Sequence, residues 1–221
     1  MIQKVITLIS LLHLITPTHQ STCEWIGGSY GAKLSCLPGW VATGICGSGM
    51  NADCNIPDSR TTKSLSKTSY YFMIQCCQTK YQNNFQSNCL DQGINNGQLI
   101  PCVNNQGKNQ AIYGGCGSGR KDDCTIEGDP RRTKYTAVET CCDNLDISVG
   151  PNENCGWRYN SFGDLVTCPG GYVAAGYCGS GRTGECEGGG KNAFTGVYCC
   201  PFVDVDTTSD LSEESSSIVS V

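Results

Sequence analysis

The sequence predicts an all-β, disulfide-rich fold made of three pseudo-symmetric repeats and ending in a disordered acidic tail. Three observations carry that prediction. The 18 cysteines of this 221-residue chain fall into three sets of six with matching spacing. The strongest local patterns are short β-branched or aromatic runs bounded by Gly, Pro, Asn or Asp, with no sustained helical period. From Asp204 onward the chain has five carboxylates, no Lys or Arg and no aromatic residue.

Residues 1–20, MIQKVITLISLLHLITPTHQ, set one early charge, Lys4, before an apolar stretch from Val5 to Ile15 and a short polar exit. That is the layout of a cleaved signal peptide, and the stretch is too short to span a bilayer comfortably. The mature chain is therefore expected to be secreted and extracellular, without membrane insertion, in a medium where thiols pair and stay paired.

All 18 cysteines follow that leader. The first cysteine-rich repeat, 21–77, carries Cys23, Cys36, Cys46, Cys54, Cys76 and Cys77. The second, 89–142, carries Cys89, Cys102, Cys116, Cys124, Cys141 and Cys142. The third, 155–200, carries Cys155, Cys168, Cys178, Cys186, Cys199 and Cys200. Twelve residues separate the first two cysteines of every repeat, and seven separate the third from the fourth. A bond between sequence neighbours is strained, so each member of a vicinal pair is expected to find a partner elsewhere, within its own repeat. Six cysteines leave the connectivity itself open. Apolar residues are scarce and glycine is abundant, so cross-links must offset much of the conformational entropy of folding.

Other positions recur. Gly31, Gly97 and Gly163 each lie five residues before the second cysteine, and Leu34, Ile100 and Val166, two before it, read as core-facing strand residues. The runs WVATGI, YVAAGY, YYFMIQ and GVY read as strands. Cys-Gly-Ser-Gly occurs three times, each time followed by an acid (Asp53, Asp123, Glu185) and a cysteine. It reads as a glycine turn: a phosphate cradle would lead into a helix, and a serine nucleophile would need a base. The acids read as turn caps, since calcium needs six to eight oxygens. The gap before each vicinal pair shrinks from 21 to 16 to 12 residues, as a surface loop tolerates. The second repeat departs most, with four extra residues between its second and third cysteines and Asp91 where the others have Trp25 and Trp157.

The only histidines, His13 and His19, fall in the leader, so the mature chain has no imidazole for base catalysis or metal binding. Cysteine spacing does not match zinc sites. No cofactor and no catalytic residue are expected, although carboxylate-pair glycosidase chemistry needs only Asp and Glu. The leader takes with it one of the 15 basic residues and none of the 20 acidic ones, so the mature net charge is −6, of which the tail holds −5. A nearly neutral body gives no reason to expect nucleic-acid binding. The basic residues of the second repeat, including Arg120, Lys121, Arg131, Arg132 and Lys134, are interleaved with acids and read as a mixed solvated surface. Trp25, Trp40, Trp157, Tyr159 and Tyr172 are candidates for glycan stacking or for packing in a thin core. The acidic Ser-rich tail, 201–221, offers Ser212 in Ser-Glu-Glu as a phosphosite, which would deepen its charge and draw calcium or a mineral surface.

The third repeat also resembles the vitelline membrane outer layer protein family, through Phe162-Gly163-Asp164, Cys168-Pro169-Gly170-Gly171-Tyr172 and Phe194-Thr195-Gly196-Val197-Tyr198-Cys199. The resemblance fits the first repeat in part and the second barely. It implies a β-prism of three sheets, as against three tandem small β modules, and a place in an egg coat with suspected oligosaccharide binding.

Together these readings point to a secreted, non-catalytic structural component of an extracellular coat or matrix, such as an egg envelope, cuticle or shell organic matrix. Its partners would be other coat components, glycans included. The alternatives are a secreted carbohydrate-binding module and a secreted effector, toxin or protease inhibitor, presenting the DPRRTK loop.

Overall fold

Neighbouring side chains of a β-strand leave on opposite faces, so a vicinal cysteine pair in a strand is served by two different partners. The computed structural model, which describes residues 22–29, 31–47, 54–55, 69–79, 86–95, 97–117, 124–131, 133–144, 147–161, 163–179, 186–190 and 193–204, makes that division in every repeat. The first repeat contributes β1 (Cys23–Gly28), β2 (Leu34–Ser35), β3 (Trp40–Gly47), β4 (Cys54–Asn55), β5 (Ser69–Tyr70) and β6 (Phe72–Gln78). The second contributes β7 (Gln86–Ile94), β8 (Ile100–Pro101), β9 (Ala111–Gly117), β10 (Cys124–Thr125), β11 (Lys134–Tyr135) and β12 (Ala137–Asn144). After β13 (Ile147–Val149) and a single 3-10 turn at Asn152–Asn154, the third contributes β14 (Gly156–Asn160), β15 (Val166–Thr167), β16 (Tyr172–Gly179) and β17 (Thr195–Asp204). The fold is all-β, and the sheets are open rather than closed into barrels.

The first cysteine of each repeat bonds the sixth: Cys23–Cys77, Cys89–Cys142 and Cys155–Cys200. These pin β1 to β6, β7 to β12, and the residue just before β14 to β17, with Cα atoms 4.0, 4.1 and 4.3 Å apart. The second bonds the fifth on the inward face: Cys36–Cys76, Cys102–Cys141 and Cys168–Cys199. The third bonds the fourth, closing the stretch after β3, β9 and β16: Cys46–Cys54, Cys116–Cys124 and Cys178–Cys186. The Ser-Gly of each Cys-Gly-Ser-Gly, and Asp53, Asp123 and Glu185, lie outside the described residues.

Sheet order shows how the repeats are joined. The first sheet runs β1-β6-β3-β15, the second β7-β12-β9-β2, and the third has β17 between β16 and both β13 and β14, with β8 beyond β16. Each repeat therefore lends its shortest inner strand to a neighbour: β2 pairs with β9, β8 with β16, and β15 with β3. The exchange is cyclic, first to second, second to third and third to first. One hydrogen bond marks each handover: the backbone N–H groups of Cys36, Cys102 and Cys168 donate to the carbonyls of Tyr113, Ala175 and Thr43, each at 2.7 Å.

Two glycine positions make the exchange feasible. Gly31, Gly97 and Gly163 have φ of 65, 73 and 79°, a left-handed bend that turns the chain out toward the neighbouring sheet. Gly44, Gly114 and Gly176 lie under the incoming strand. A Cβ there would sit 2.9, 2.6 and 2.9 Å from the carbonyl oxygens of Val166, Leu34 and Ile100. Residues of all three repeats then fill one central core, including Ile45, Ile74 and Phe72 from the first, Ile94 and Ile112 from the second, and Val166, Tyr177 and Val197 from the third. Leu34 and Ile100 pack against it, half-buried. All three second-to-fifth disulfides touch this core, the third through a half-buried Cys168. The arrangement is thus three interlocked sheets rather than three separate modules.

Candidate functional site

The second repeat breaks the equivalence at one end of its sheet. In the first and third repeats the chain enters β3 and β16 through Trp40 and Tyr172, which face Gln78 and Pro201 across the strand pair. The corresponding entry to β9 is Gln110, reached through the four-residue insertion. That insertion forms a small hairpin: Val103 bridges Asn109, and the Asn104 side-chain oxygen accepts the backbone N–H groups of Gln106 (2.9 Å) and Lys108 (3.0 Å). An aromatic ring has been replaced by an amide, and a groove of about 730 Å³ opens beside it. Asn104, Lys108, Asn109, Gln110, Asp143 and Glu153 are among its lining residues.

Asp143 organises the floor. Its carboxylate accepts side-chain N–H donors from Gln110 (3.0 Å) and Asn104 (3.3 Å) on one oxygen and from Asn88 (3.1 Å) on the other. Two local features aim these groups. The β7–β12 pairing shifts register between Cys141 and Asp143, and Asn88, opposite that irregularity, has φ of 50°, a left-handed conformation that asparagine tolerates better than most residues. On the other wall the Asn109 amide donates to the Gly150 carbonyl at 2.6 Å, tying the hairpin to the segment that leads into the third repeat.

With their nitrogens committed, both amides leave a carbonyl oxygen over. Asn109 Oδ1 and Gln110 Oε1 are buried and have no hydrogen-bond partner among the described residues. Neither assignment can be reversed, because a flipped Gln110 would set its oxygen against the Asp143 carboxylate and a flipped Asn109 would set its oxygen against the Gly150 carbonyl. Both residues line the groove, but these two unmatched oxygens are sealed beneath its surface.

A second polar group lies deeper. Glu139 on β12 occupies the strand position held by Ile74 on β6 and Val197 on β17. It is 1 % exposed, and among the described residues neither carboxyl oxygen has a partner in full hydrogen-bond geometry. Desolvation pushes its pKa well above the usual carboxylate range, and the Tyr177 backbone N–H, aimed at the carboxyl without completing a good bond, offsets only part of that. Burial, and then the nearby Glu139 carboxyl, likewise raise the Tyr177 hydroxyl. Glu139 approaches Cys102 and Cys141, but those two sulfurs are bonded to each other, so the trio does not fit a metal ion.

The residues singled out from sequence are distributed otherwise. Trp25 packs against the buried cluster of Cys46, Cys54 and Met73. Trp40 and Tyr172 pack on the central core. Trp157 stacks on Tyr159 at 6.2 Å and tilts against Tyr198 at 5.1 Å. All four are half-buried. The tip of the DPRRTK loop is a capped turn: Asp129 accepts the backbone N–H groups of Arg131 and Thr133, bonds that hold its carboxyl below the ordinary range. Asp91, the departure from tryptophan, accepts from Thr140 Oγ1 and pairs with Lys33, on the segment leading into β2, both at 2.6 Å. Ser212 lies outside the described residues.

None of the groove residues except Asn104 to Gln110, seen as an insertion, stood out in the sequence. The available signal was the replacement of Trp40 and Tyr172 by Gln110 once the insertion is set aside. Comparison with known protein families, characterised proteins and solved structures returned no match to this chain.

Proposed function

We propose that the protein is a secreted, non-catalytic structural component of an extracellular coat or matrix. The observation that carries this reading is the cyclic strand exchange bolted by buried disulfides. A lent strand cannot leave its neighbour's sheet without straining the disulfide that ties it to its own, so local opening is coupled to the whole molecule. Such coupling raises the free energy of the partly open states that proteases attack. A disulfide-rich all-β protein of this size fits a stable extracellular protein, and three similar sheets suit multivalent attachment, in which linked weak contacts gain avidity.

The non-catalytic part is supported by the state of the carboxylates beside the groove. Asp143 is taken up by three amide donors and Glu139 is sealed from solvent, while the chain beyond residue 19 has no histidine. The test is extraction from the producing tissue. The protein is expected in an insoluble extracellular layer, released only when disulfides are reduced or the layer is dissolved. Recovery of all of it as a freely soluble monomer in secreted fluid would overturn the reading.

A further inference from the structure

We propose that the Cys23–Cys77 disulfide is a thiol-exchange site, where a small aliphatic thiol of the glutathione type is captured on Cys23 and later released by Cys77. The inference goes beyond the coat role and does not depend on it. In the capture step the incoming thiolate sulfur attacks Cys23 Sγ and forms a new S–S bond there. The Cys23–Cys77 bond breaks, and its electron pair leaves on Cys77 Sγ. One disulfide replaces another, so nothing is oxidised or reduced overall, and the proton shed by the attacking thiol is available to the Cys77 thiolate.

All 18 cysteines are paired, so the attacking thiol must come from outside. Cys23 begins β1, the outermost strand of its sheet, and is exposed, whereas Cys77 is 8 % exposed. Attack therefore falls on Cys23, and Cys77 is the leaving sulfur. The Thr43 hydroxyl stands 2.9 Å from Cys77 Sγ and 3.0 Å from Gln75 Oε1. While the disulfide is closed, its hydrogen goes to Gln75. Once Cys77 carries charge the hydrogen turns to the sulfur, because a hydrogen bond to an ion is the stronger of the two. A thiolate stabilised in this way has a lower pKa, and a thiol of lower pKa leaves faster. Thr43 is aimed by a bulge: it is the extra residue where the β3–β6 register shifts between Ala42 and Gly44. Opening the disulfide leaves β1 in place, because its six residues stay paired along β6 and Cys36–Cys76 still ties the repeat. Cys77 thus remains beside Cys23 and can attack the mixed disulfide in turn, which releases the captured thiol.

The equivalent disulfides of the other repeats lack this combination. The counterparts of Thr43, whose carbonyls likewise take handover bonds, are Tyr113 and Ala175. In the second repeat Cys89 is exposed, but Cys142 is 1 % exposed and packs with Val41, Ala111, Tyr113 and Val173. Burial among apolar groups raises a thiol's pKa and slows its departure. In the third repeat Ala175 offers no hydroxyl, Cys155 is half-buried and Cys200 is 0 % exposed. The Pro151 and Gly150 carbonyl oxygens lie 3.3 and 3.8 Å from Cys155 Sγ, where they repel an incoming thiolate. The Asn109 amide is 3.8 Å from Cys200 Sγ but is committed to Gly150 at 2.6 Å.

The test uses the full secreted protein with disulfides intact. It is incubated with reduced glutathione under native conditions, quenched at intervals with N-ethylmaleimide, and mapped by peptide mass spectrometry. Glutathione on Cys23 and maleimide on Cys77 are expected first, ahead of Cys89–Cys142 and Cys155–Cys200, with Cys36–Cys76 still closed. Thr43→Val should slow the opening about tenfold, as loss of one hydrogen bond to a charged group implies, and Thr43→Ser should restore the wild-type rate. The proposal fails if another disulfide opens first, if all open together, or if glutathione is found on Cys77. It fails equally if Thr43→Val exchanges as fast as wild type, or if Thr43→Ser is as slow as Thr43→Val. The wild-type cysteine map decides the matter even if a variant does not fold.

Discussion

The second repeat set against the first and third shows which features of the unit are scaffold and which are free to change. Six cysteines, the left-handed glycine, the glycine under the lent strand and the 2.7 Å handover bond recur in all three. Side chains at four other positions do not. Where the others have Ile45 and Tyr177 the second has Gly115, and the Phe72 ring from the first repeat lies 3.4 Å from where its Cβ would be. Ile74 and Val197 become Glu139, Trp40 and Tyr172 become Gln110, and Trp25 and Trp157 become Asp91. Backbone joinery is kept because a failure in one sheet is a failure in its neighbour. Side-chain volume is negotiable because one shared core lets another repeat fill the gap.

The comparison can be broken most severely at the inner disulfides. Replacing Cys36 and Cys76 together by Ala is expected to cost about 2–5 kcal/mol. The same change at Cys102 and Cys141 should cost less, because the vacated space next to Glu139 admits water to a carboxyl that now has none. Denaturant unfolding of the two double variants checks the order, and equal losses would remove Glu139 from the account.

Next comes the handover itself. Gly114→Ala would drive a methyl to 2.6 Å from the Leu34 carbonyl oxygen and is expected to destabilise by about 3 kcal/mol, near the upper end for overpacking. Gly107→Ala, in open space at φ of 74°, carries only the conformational penalty and should cost about 1 kcal/mol. Thermal unfolding of the pair separates a steric handover from a general intolerance of glycine replacement.

Glu139→Ile restores the residue type of the first repeat. A gain of about 1–3 kcal/mol at neutral pH is expected from removing an unpaired buried carboxyl. The sign with pH follows from the raised native pKa. The folded state holds the proton more tightly than the unfolded state, so wild-type stability is full below the ordinary glutamate value of 4.5 and falls as pH rises through the raised native pKa. The isoleucine variant should lack that decline, so the advantage of the variant grows with pH. A wild-type stability curve that rises over this window would contradict the burial.

The smallest effect is at Asp91. Lys33→Ala breaks a pair whose lysine is 40 % exposed and should cost about 0.2–1 kcal/mol, less in high salt. Asp91→Ala also removes the Thr140 hydrogen bond and should cost somewhat more, in a salt-independent part. Double-mutant cycles at two ionic strengths would resolve the two contributions.

Much of this was legible in the chain. Cysteine spacing is one-dimensional information, and the runs WVATGI, YVAAGY, YYFMIQ and GVY lie in β3, β16, β5–β6 and β17, because β-branched and aromatic residues bounded by turn formers leave few other conformations. Gly31, Gly97 and Gly163 were visible as a recurrence before their left-handed bends gave it a cause. The groove was not legible. Its lining comes from the insertion, the start of β9, β12, β13 and the link before the third repeat, and an amide's role depends on which neighbours take its N–H and which leave its oxygen unmatched.

What the sequence determined by itself was the unit: its strands, its bends and a cysteine at each point where two strands must be pinned. Only the tertiary structure decided which sheet each short strand joins. Two residues such as Leu34-Ser35 carry no pairing information of their own. Their place is set by a glycine gap in another repeat and by a disulfide drawn back to the first, both of which exist only once the three sheets have met.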